Sequence, residues 1–513
     1  MDLFSNLIEG FSVALIPTNL LLGFIGAVLG TAVGVLPGLG PSATIALLLP
    51  LTYKLDPVGA IIMLAGIYYG AMFGGSTTSI LLNIPGENSS VVTCIDGYQM
   101  ARKGRAGAAL GMCAIGSFIG GLISVLILIL IAPALSDLAL SFGPPEYTAM
   151  LLLGLFMVVY LSSESVLKGL MAMSIGCLLG MVGRDVTYGL DRFTFGSDYL
   201  LSGLNFVPVA MGLYGISEVM LNMEKQETRE VFKTDLKGLW PTRADWKASW
   251  APILRGGALG SLLGVLPGGG TVMATFGSYT IEKRLSKTPE RFGNGAIEGV
   301  AAPETANNAS ATTAFVPLLT LGIPTHTAHA LIFMAMMIHG IRPGPLLMTE
   351  HPEMFWGVIA SMVTGNLMLL LLNLPLVGMW AKMLTVPYKY LVLVIITVCV
   401  MGAYSVNLSA FDITTMAVFG VVGYGLRKFG FPISPIVLSM VLVPNLEASF
   451  QQSMVLGMGD LRIFFSRPIS GTLMAFIALI LLFPIGSWLW NRRGDLKKLR
   501  QQNNSPAVKA NNL

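Results

Sequence analysis

Two stretches of this chain, Phe118 to Leu135 and Trp356 to Ala381, run without one charged side chain. Runs of this kind suit a bilayer, where a helix of about 20 apolar residues crosses the hydrocarbon core with its backbone hydrogen bonds made internally. Only 11% of the 513 residues are charged and 54% are hydrophobic, against roughly 25% charged in a soluble domain. An all-α polytopic membrane protein is expected, with roughly ten to thirteen membrane segments and one extra C-terminal span. The net charge of +4 is too small to suggest a nucleic-acid partner. Cys94, Cys113, Cys177 and Cys399 lie singly in apolar segments, with the spacing of neither a disulfide framework nor a metal site.

Sorting Lys and Arg by the gaps between apolar runs puts 24 on one side. Lys54, Arg184, Arg192, Arg342, Arg462 and Arg467 fall on the other, and Arg255 lies just inside a span. The richer side is expected to be cytoplasmic, which places the central basic linker and the C-terminus inside the cell.

The chain also repeats itself. Gly34-Val35-Leu36-Pro37-Gly38-Leu39-Gly40 returns as Gly264-Val265-Leu266-Pro267-Gly268-Gly269-Gly270, and Gly75-Ser76-Thr77-Thr78 leading to Ile84-Pro85 returns as Ser310-Ala311-Thr312-Thr313 leading to Ile323-Pro324. The expected division is a first transmembrane repeat over 1–221, a basic linker over 222–250, a second repeat over 251–468, an extra span over 469–491 and a polar tail over 492–513. The basic residues of matching segments fall on opposite sides, so the repeats are expected to be inverted, with a transport site near the midplane between them.

Proline removes a backbone donor and glycine supplies unusual dihedrals, so Pro37, Gly38 and Gly40, with Pro267, Gly268 and Gly270, predict broken helices or re-entrant hairpins. Ser42 and Thr44 follow the first break, Thr271 and Thr275 the second, where new half-helix N-termini would present hydroxyls and N–H groups to an anion. A glycine-rich packing seam is the alternative for either copy.

Polar runs flanked by apolar helix must face protein or water. Gly75, Ser76, Thr77 and Thr78, with Asn307, Asn308, Ser310, Thr312 and Thr313, are therefore expected to line a substrate cavity. Carbonyls near Asn83, Pro85, Leu321 and Pro324, with Glu304 and Thr305, are the expected ion-coupling group. Glu87, Asp96 and Glu298 are weaker candidates, and any of these acids could instead pair with an arginine such as Arg102 or Arg105. Interhelical Ser/Thr bonding is the alternative use of the hydroxyls.

Gly457-Met458-Gly459-Asp460, with Asp412, fits the string of an intramembrane aspartyl protease only weakly, because Asp460 sits at the edge of its apolar run. His326 and His329 have no third ligand at zinc spacing. No phosphate-binding loop of the GxxxxGK[ST] kind occurs, so no cofactor is expected, and transport would be driven by an ion gradient or by a partner.

GVLPGLGPSATIALLLPLTY, GGSTTSILLNIPGE, GVLPGGGTVMATFGSYTIEKRLSK and GAIEGVAAPETANNASATTAFVPLLTLGIP together resemble the TctA family, the large membrane subunits of tripartite tricarboxylate transporters. The resemblance implies a secondary importer of di- or tricarboxylates in the bacterial inner membrane, driven by sodium or protons. It implies two partners: a small four-span membrane subunit of the TctB type and a periplasmic binding protein of the TctC type. The polar elements contain no Arg, so recognition by backbone and helix dipoles is expected in place of a carboxylate clamp. A non-transporting docking subunit is the alternative, and a homo-oligomer is compatible with either reading.

Overall fold

The computed structural model describes residues 3–36, 40–162, 165–185, 189–224, 238–384 and 388–482. These residues are mostly helical, and the strands among them are a two-residue antiparallel pairing of Gly183–Arg184 with Asp191–Arg192. Among them seven helices are long and apolar enough to cross a membrane, and the chain is an all-α polytopic membrane protein. The first half carries α1 (Leu3–Ala14), α2 (Pro17–Val35), α3 (Pro41–Thr52), α4 (Pro57–Leu82), α5 (Val91–Arg102), α6 (Ala106–Leu140), α7 (Pro144–Ser162) and α8 (Val166–Gly180). The short α9 (Phe206–Ala210), a π-helical turn and α10 (Ser217–Glu224) lead to the linker. Beyond it lie α11 (Arg243–Gly264), α12 (Gly270–Leu285), α13 (Glu298–Thr313), α14 (Phe315–Leu321), α15 (Thr327–Ile338), α16 (Leu347–Glu350) and α17 (Pro352–Asn373). The chain continues through α18 (Val377–Met383), α19 (Tyr388–Asn407), α20 (Ala410–Lys428) and α21 (Ser434–Leu456).

Helix boundaries follow local chemistry. Pro17, Pro41 and Pro57 open α2, α3 and α4 at a position that needs no N–H donor. The Asp56 carboxylate accepts from the N–H groups of Val58 and Gly59 to cap α4. Thr242 and Asp245 form a reciprocal capping box that starts α11 inside the segment expected to be linker. Asn83 and Gly322, each followed by Ile-Pro, adopt left-handed backbone at the ends of α4 and α14, which stops the helix before a residue that cannot continue it. An extra helix, Pro468–Leu482, begins where the last span is expected. The rest of that span, the polar tail, and residues 225–237 of the linker lie outside the described residues.

Glycines set how the helices meet. A Cβ built on Gly26, Gly30 or Gly34 of α2 would stand 2.2, 2.2 and 2.3 Å from the carbonyl oxygens of Met63, Ile67 and Ala71 on α4. The same seam recurs 230 residues later. A Cβ on Gly256, Gly260 or Gly264 of α11 would stand 2.5, 2.4 and 2.4 Å from the oxygens of Ala302, Ala306 and Ser310 on α13. Backbone rests on backbone in both pairs, as small residues at four-residue spacing permit. The glycine seam and the helix break, set against each other as alternatives by the sequence, occur together: each seam ends at a Gly-Val-Leu-Pro break.

The breaks then diverge. After the second, α12 folds back along α11: the Arg255 guanidinium donates to both oxygens of Glu282 at 2.7 and 2.6 Å, and Leu259 faces Gly277. This is a re-entrant helical hairpin with its tip at Gly264–Gly270. After the first, α3 leaves α2 and packs against α15 and α19.

Substituting Ala at Gly30 must push α2 off α4 and is expected to cost about 1–3 kcal/mol, whereas Gly425→Ala, with nothing near its Cβ position, should be neutral or mildly stabilising. The unfolding temperatures of the detergent-solubilised variants check the difference.

Candidate functional site

The second break makes two polar contacts that fix its tip. The Gly268 N–H donates to the Thr325 carbonyl at 2.6 Å, and the Ser310 hydroxyl donates to Thr271 Oγ1 at 3.2 Å. The hairpin tip is thereby tied to the Ile323-Pro324 break and to the polar helix α13. Pro267, Gly268 and Thr271 are half-buried at this tip, as are Gly40 and Ser42 at the start of α3, while most of α4 and α13 is fully buried. Pro37 and Gly38 lie outside the described residues.

The centre of the polar elements is Glu304. Its side chain is 1% exposed. Ser76 of α4 donates to Oε2 at 2.6 Å, and Thr93 of α5 donates to Oε1. The Asn308 amide donates to Ser117 of α6 at 2.7 Å and to the Glu304 carbonyl at 3.2 Å. Beside this group the Asn307 amide donates to Glu87 Oε1 at 2.8 Å. The Asn307 side-chain oxygen is buried with no partner. The pairing with Arg102 or Arg105 considered from sequence does not form at either Glu304 or Glu87: Arg105 bonds Asp245 at 2.6 Å, and among the described residues no Lys or Arg bonds either glutamate.

The other acids hold structure together. Asp96 accepts from the backbone N–H groups of Gly293, Gly295 and Ala296 at 2.7–2.9 Å and from the Tyr279 hydroxyl at 2.9 Å. It ties α5 to α12 and the loop after it. Glu298 pairs with Arg291.

Several expected site residues serve their own helices. Thr305, Thr312 and Thr313 donate to the carbonyls of Ala301, Asn308 and Ala309, and Thr44 donates to the carbonyl of Gly40. Thr78 donates to the Val35 carbonyl at 2.7 Å and so closes the exposed end of α2 at the first break. Gly75 and Gly86 let the Ile-Pro-Gly-Glu loop lie on the backbone of α2 and α4: a Cβ on Gly86 would stand 2.3 Å from the Gly34 oxygen. Thr77 is buried and Ser42 half-buried, each without a side-chain hydrogen bond among the described residues. Gly270 packs back on Leu263. Asn83 and Pro85 are exposed, Leu321 is half-buried and Pro324 is buried.

Thr93, Ser117 and Tyr68 were not singled out from sequence. Each sits in an apolar or mixed helix, and only its distant partner marks it. Asp460 is exposed in the turn after α21, where it accepts from the Arg462 N–H. His326 and His329 stack on each other, with ring centroids 4.1 Å apart.

Comparison with known proteins gives one family match. The profile of the tripartite tricarboxylate transporter TctA family covers residues 20–438. An uncharacterized 52.8 kDa protein in the TAR-I ttuC′ 3′ region of Agrobacterium vitis is 52% identical over 475 residues, spanning 93% of this chain and 95% of that protein. A second uncharacterized protein of that organism, in the TAR-II ttuC′ 3′ region, is 52% identical over 215 residues, 42% of this chain and 89% of its own length. No solved structure matches.

Ser76→Ala removes a donor from a buried carboxylate and is expected to lower stability by about 1–3 kcal/mol. Thr312→Val removes only a bond to a carbonyl of its own helix and should change it by less than about 1 kcal/mol. Thermal unfolding of the two purified variants checks the contrast.

Proposed function

Since this chain belongs to the TctA family of tripartite tricarboxylate transporters, we propose that it is the subunit that carries a di- or tricarboxylate across the bacterial inner membrane. The motive force is a sodium or proton gradient. Substrate is handed over by a periplasmic binding protein, and the small four-span subunit completes the membrane assembly. The two halves act as inverted repeats, with the linker and C-terminus in the cytoplasm and the substrate held between the breaks and the polar elements.

The observation that carries this reading is the pair Glu304 and Glu87, the second held by Asn307, three residues after Glu304 on α13, with no basic partner among the described residues. Removing a carboxylate from water costs several kcal/mol. A hydrogen bond to a charged group returns about 1.5–3 kcal/mol, but the hydroxyls of Ser76 and Thr93 bring no countercharge, and a bound cation would supply it. An anionic substrate meets the same obstacle, because it cannot approach two uncompensated carboxylates. Binding sodium or a proton there removes the repulsion and admits the substrate. Symport follows from this electrostatic linkage. The unpartnered Asn307 oxygen beside Glu87 supplies a further ligand of the kind a sodium ion takes.

Uptake of labelled carboxylates into proteoliposomes holding this chain, its small partner and the binding protein, under an imposed sodium or proton gradient, tests the reading. Gradient-driven accumulation is expected, with Glu304→Gln reducing it at least tenfold at near-normal membrane expression. Thr271→Ala and Asn308→Ala are each expected to impair it as well. Accumulation indifferent to all three changes would indicate a docking subunit that lends no groups to transport, and Asp460→Ala should leave uptake intact.

A further inference from the structure

His326 is the first residue after the Ile-Pro-Thr turn, immediately before α15. Its backbone is extended and its side chain does not cap its own helix. The ring is half-buried, whereas Tyr68 and His329 on either side of it are almost fully buried. Tyr68 of α4 places its hydroxyl 2.6 Å from His326 Nε2. With the phenol, the better donor of such a pair, as the donor, the single proton of the neutral imidazole resides on Nδ1. Among the described residues no hydrogen bond engages that nitrogen. His329 lies flat against the ring at an interplanar angle of 21°, is itself held by Thr325 through Nδ1 at 2.8 Å, and has no partner at Nε2. The same Thr325 carbonyl accepts from Gly268 at the hairpin tip. An imidazole fixed on two sides, with a free N–H, therefore stands where the hairpin tip and the Ile-Pro break meet.

We infer that His326 recognises the carboxylate of the substrate, donating from Nδ1, with Tyr68 as the positioning residue that sets its tautomer and orientation. The inference rests on the carboxylate-transport reading. It answers the lack of Arg in the polar elements. A neutral donor in a low-dielectric cleft binds a carboxylate by a charge-assisted hydrogen bond without the long-lived ion pair that a guanidinium would form, and so permits release on the far side.

The test uses the full assembly in proteoliposomes and the carboxylate that the wild-type protein accumulates. His326→Ala is expected to raise KM about ten- to hundredfold, the equivalent of one charge-assisted hydrogen bond, with the maximal rate within about threefold. His326→Gln, which keeps an N–H donor, should lie between that variant and wild type. Tyr68→Phe should raise KM while leaving the fold intact. His351→Gln, half-buried at the start of α17 and away from the breaks, should match wild type. A KM within twofold of wild type in His326→Ala overturns the inference while leaving carboxylate transport standing. Should that variant fail to reach the membrane, an unchanged KM in both His326→Gln and Tyr68→Phe overturns it equally. No carboxylate accumulated by the wild-type protein under either gradient would instead remove the functional reading, and the inference with it.

Discussion

Contact of backbone with backbone governs this molecule. Lipid gives two helices little hydrophobic reason to associate, so close van der Waals approach must supply it. The Gly26, Gly30, Gly34 seam lets the carbonyls of α4 lie where a side chain would be on any other residue, and Gly256, Gly260 and Gly264 do the same for α13. Both seams run directly into the breaks. A helix gripped along one face up to its last turn ends at a fixed place, and its free carbonyls are found by a side chain on the gripping helix, as Thr78 finds Val35. The site is positioned with the accuracy of that grip.

The polar cluster obeys a different accounting. Glu304 draws donors from α4 and α5, and Ser117 of α6 joins it through Asn308. Hydroxyls and amides orient a carboxylate well, yet they compensate its charge only in part. Placing a second carboxylate, Glu87, beside it increases the deficit. On the proposed ion-coupled reading, a mobile cation would complete this arrangement.

Much of this was legible in the residues. The paired Pro-Gly-x-Gly elements, the polar runs that must avoid lipid and the embedded Glu304 all follow from local chemistry. Three things were not. Thr305, Thr312 and Thr313 resemble ligand hydroxyls in sequence, but a threonine on a helix can turn its hydroxyl to the carbonyl one turn back, and these three do. Tyr68 and His326 meet across 258 residues, so no spacing could join them, and the sequence around His326 offers it only as a metal ligand. The two breaks also differ in space although six of their seven residues agree. Arg255 and Glu282 draw α12 back along α11, while their counterparts by the offset of the repeat, Ile25 and Thr52, carry no charge. The hairpin of the second copy carries an ion pair that the diverging helices of the first copy lack.

Movement during transport is constrained by the same contacts. A seam in which each glycine faces a carbonyl at van der Waals limits cannot slide by less than a full turn, so α2 and α4 travel together. The α11–α13 pair is likewise fixed, and α6 joins it through Gly120, whose Cβ position is 2.4 Å from the Thr305 oxygen. Glu87 belongs to the first stack, because its loop lies on Gly34 and Gly75. Glu304 and Asn307 belong to the second. What joins α4 and its loop to α13 at the polar centre is Ser76 with Glu304 and Asn307 with Glu87, bonds that can break and re-form without disturbing either seam. The two carboxylates therefore sit on opposite sides of the boundary between stacks. On the proposed ion-coupled reading, a cation between them would bind the stacks together and its loss would let them repel, so that ion occupancy would be converted into relative motion of the stacks.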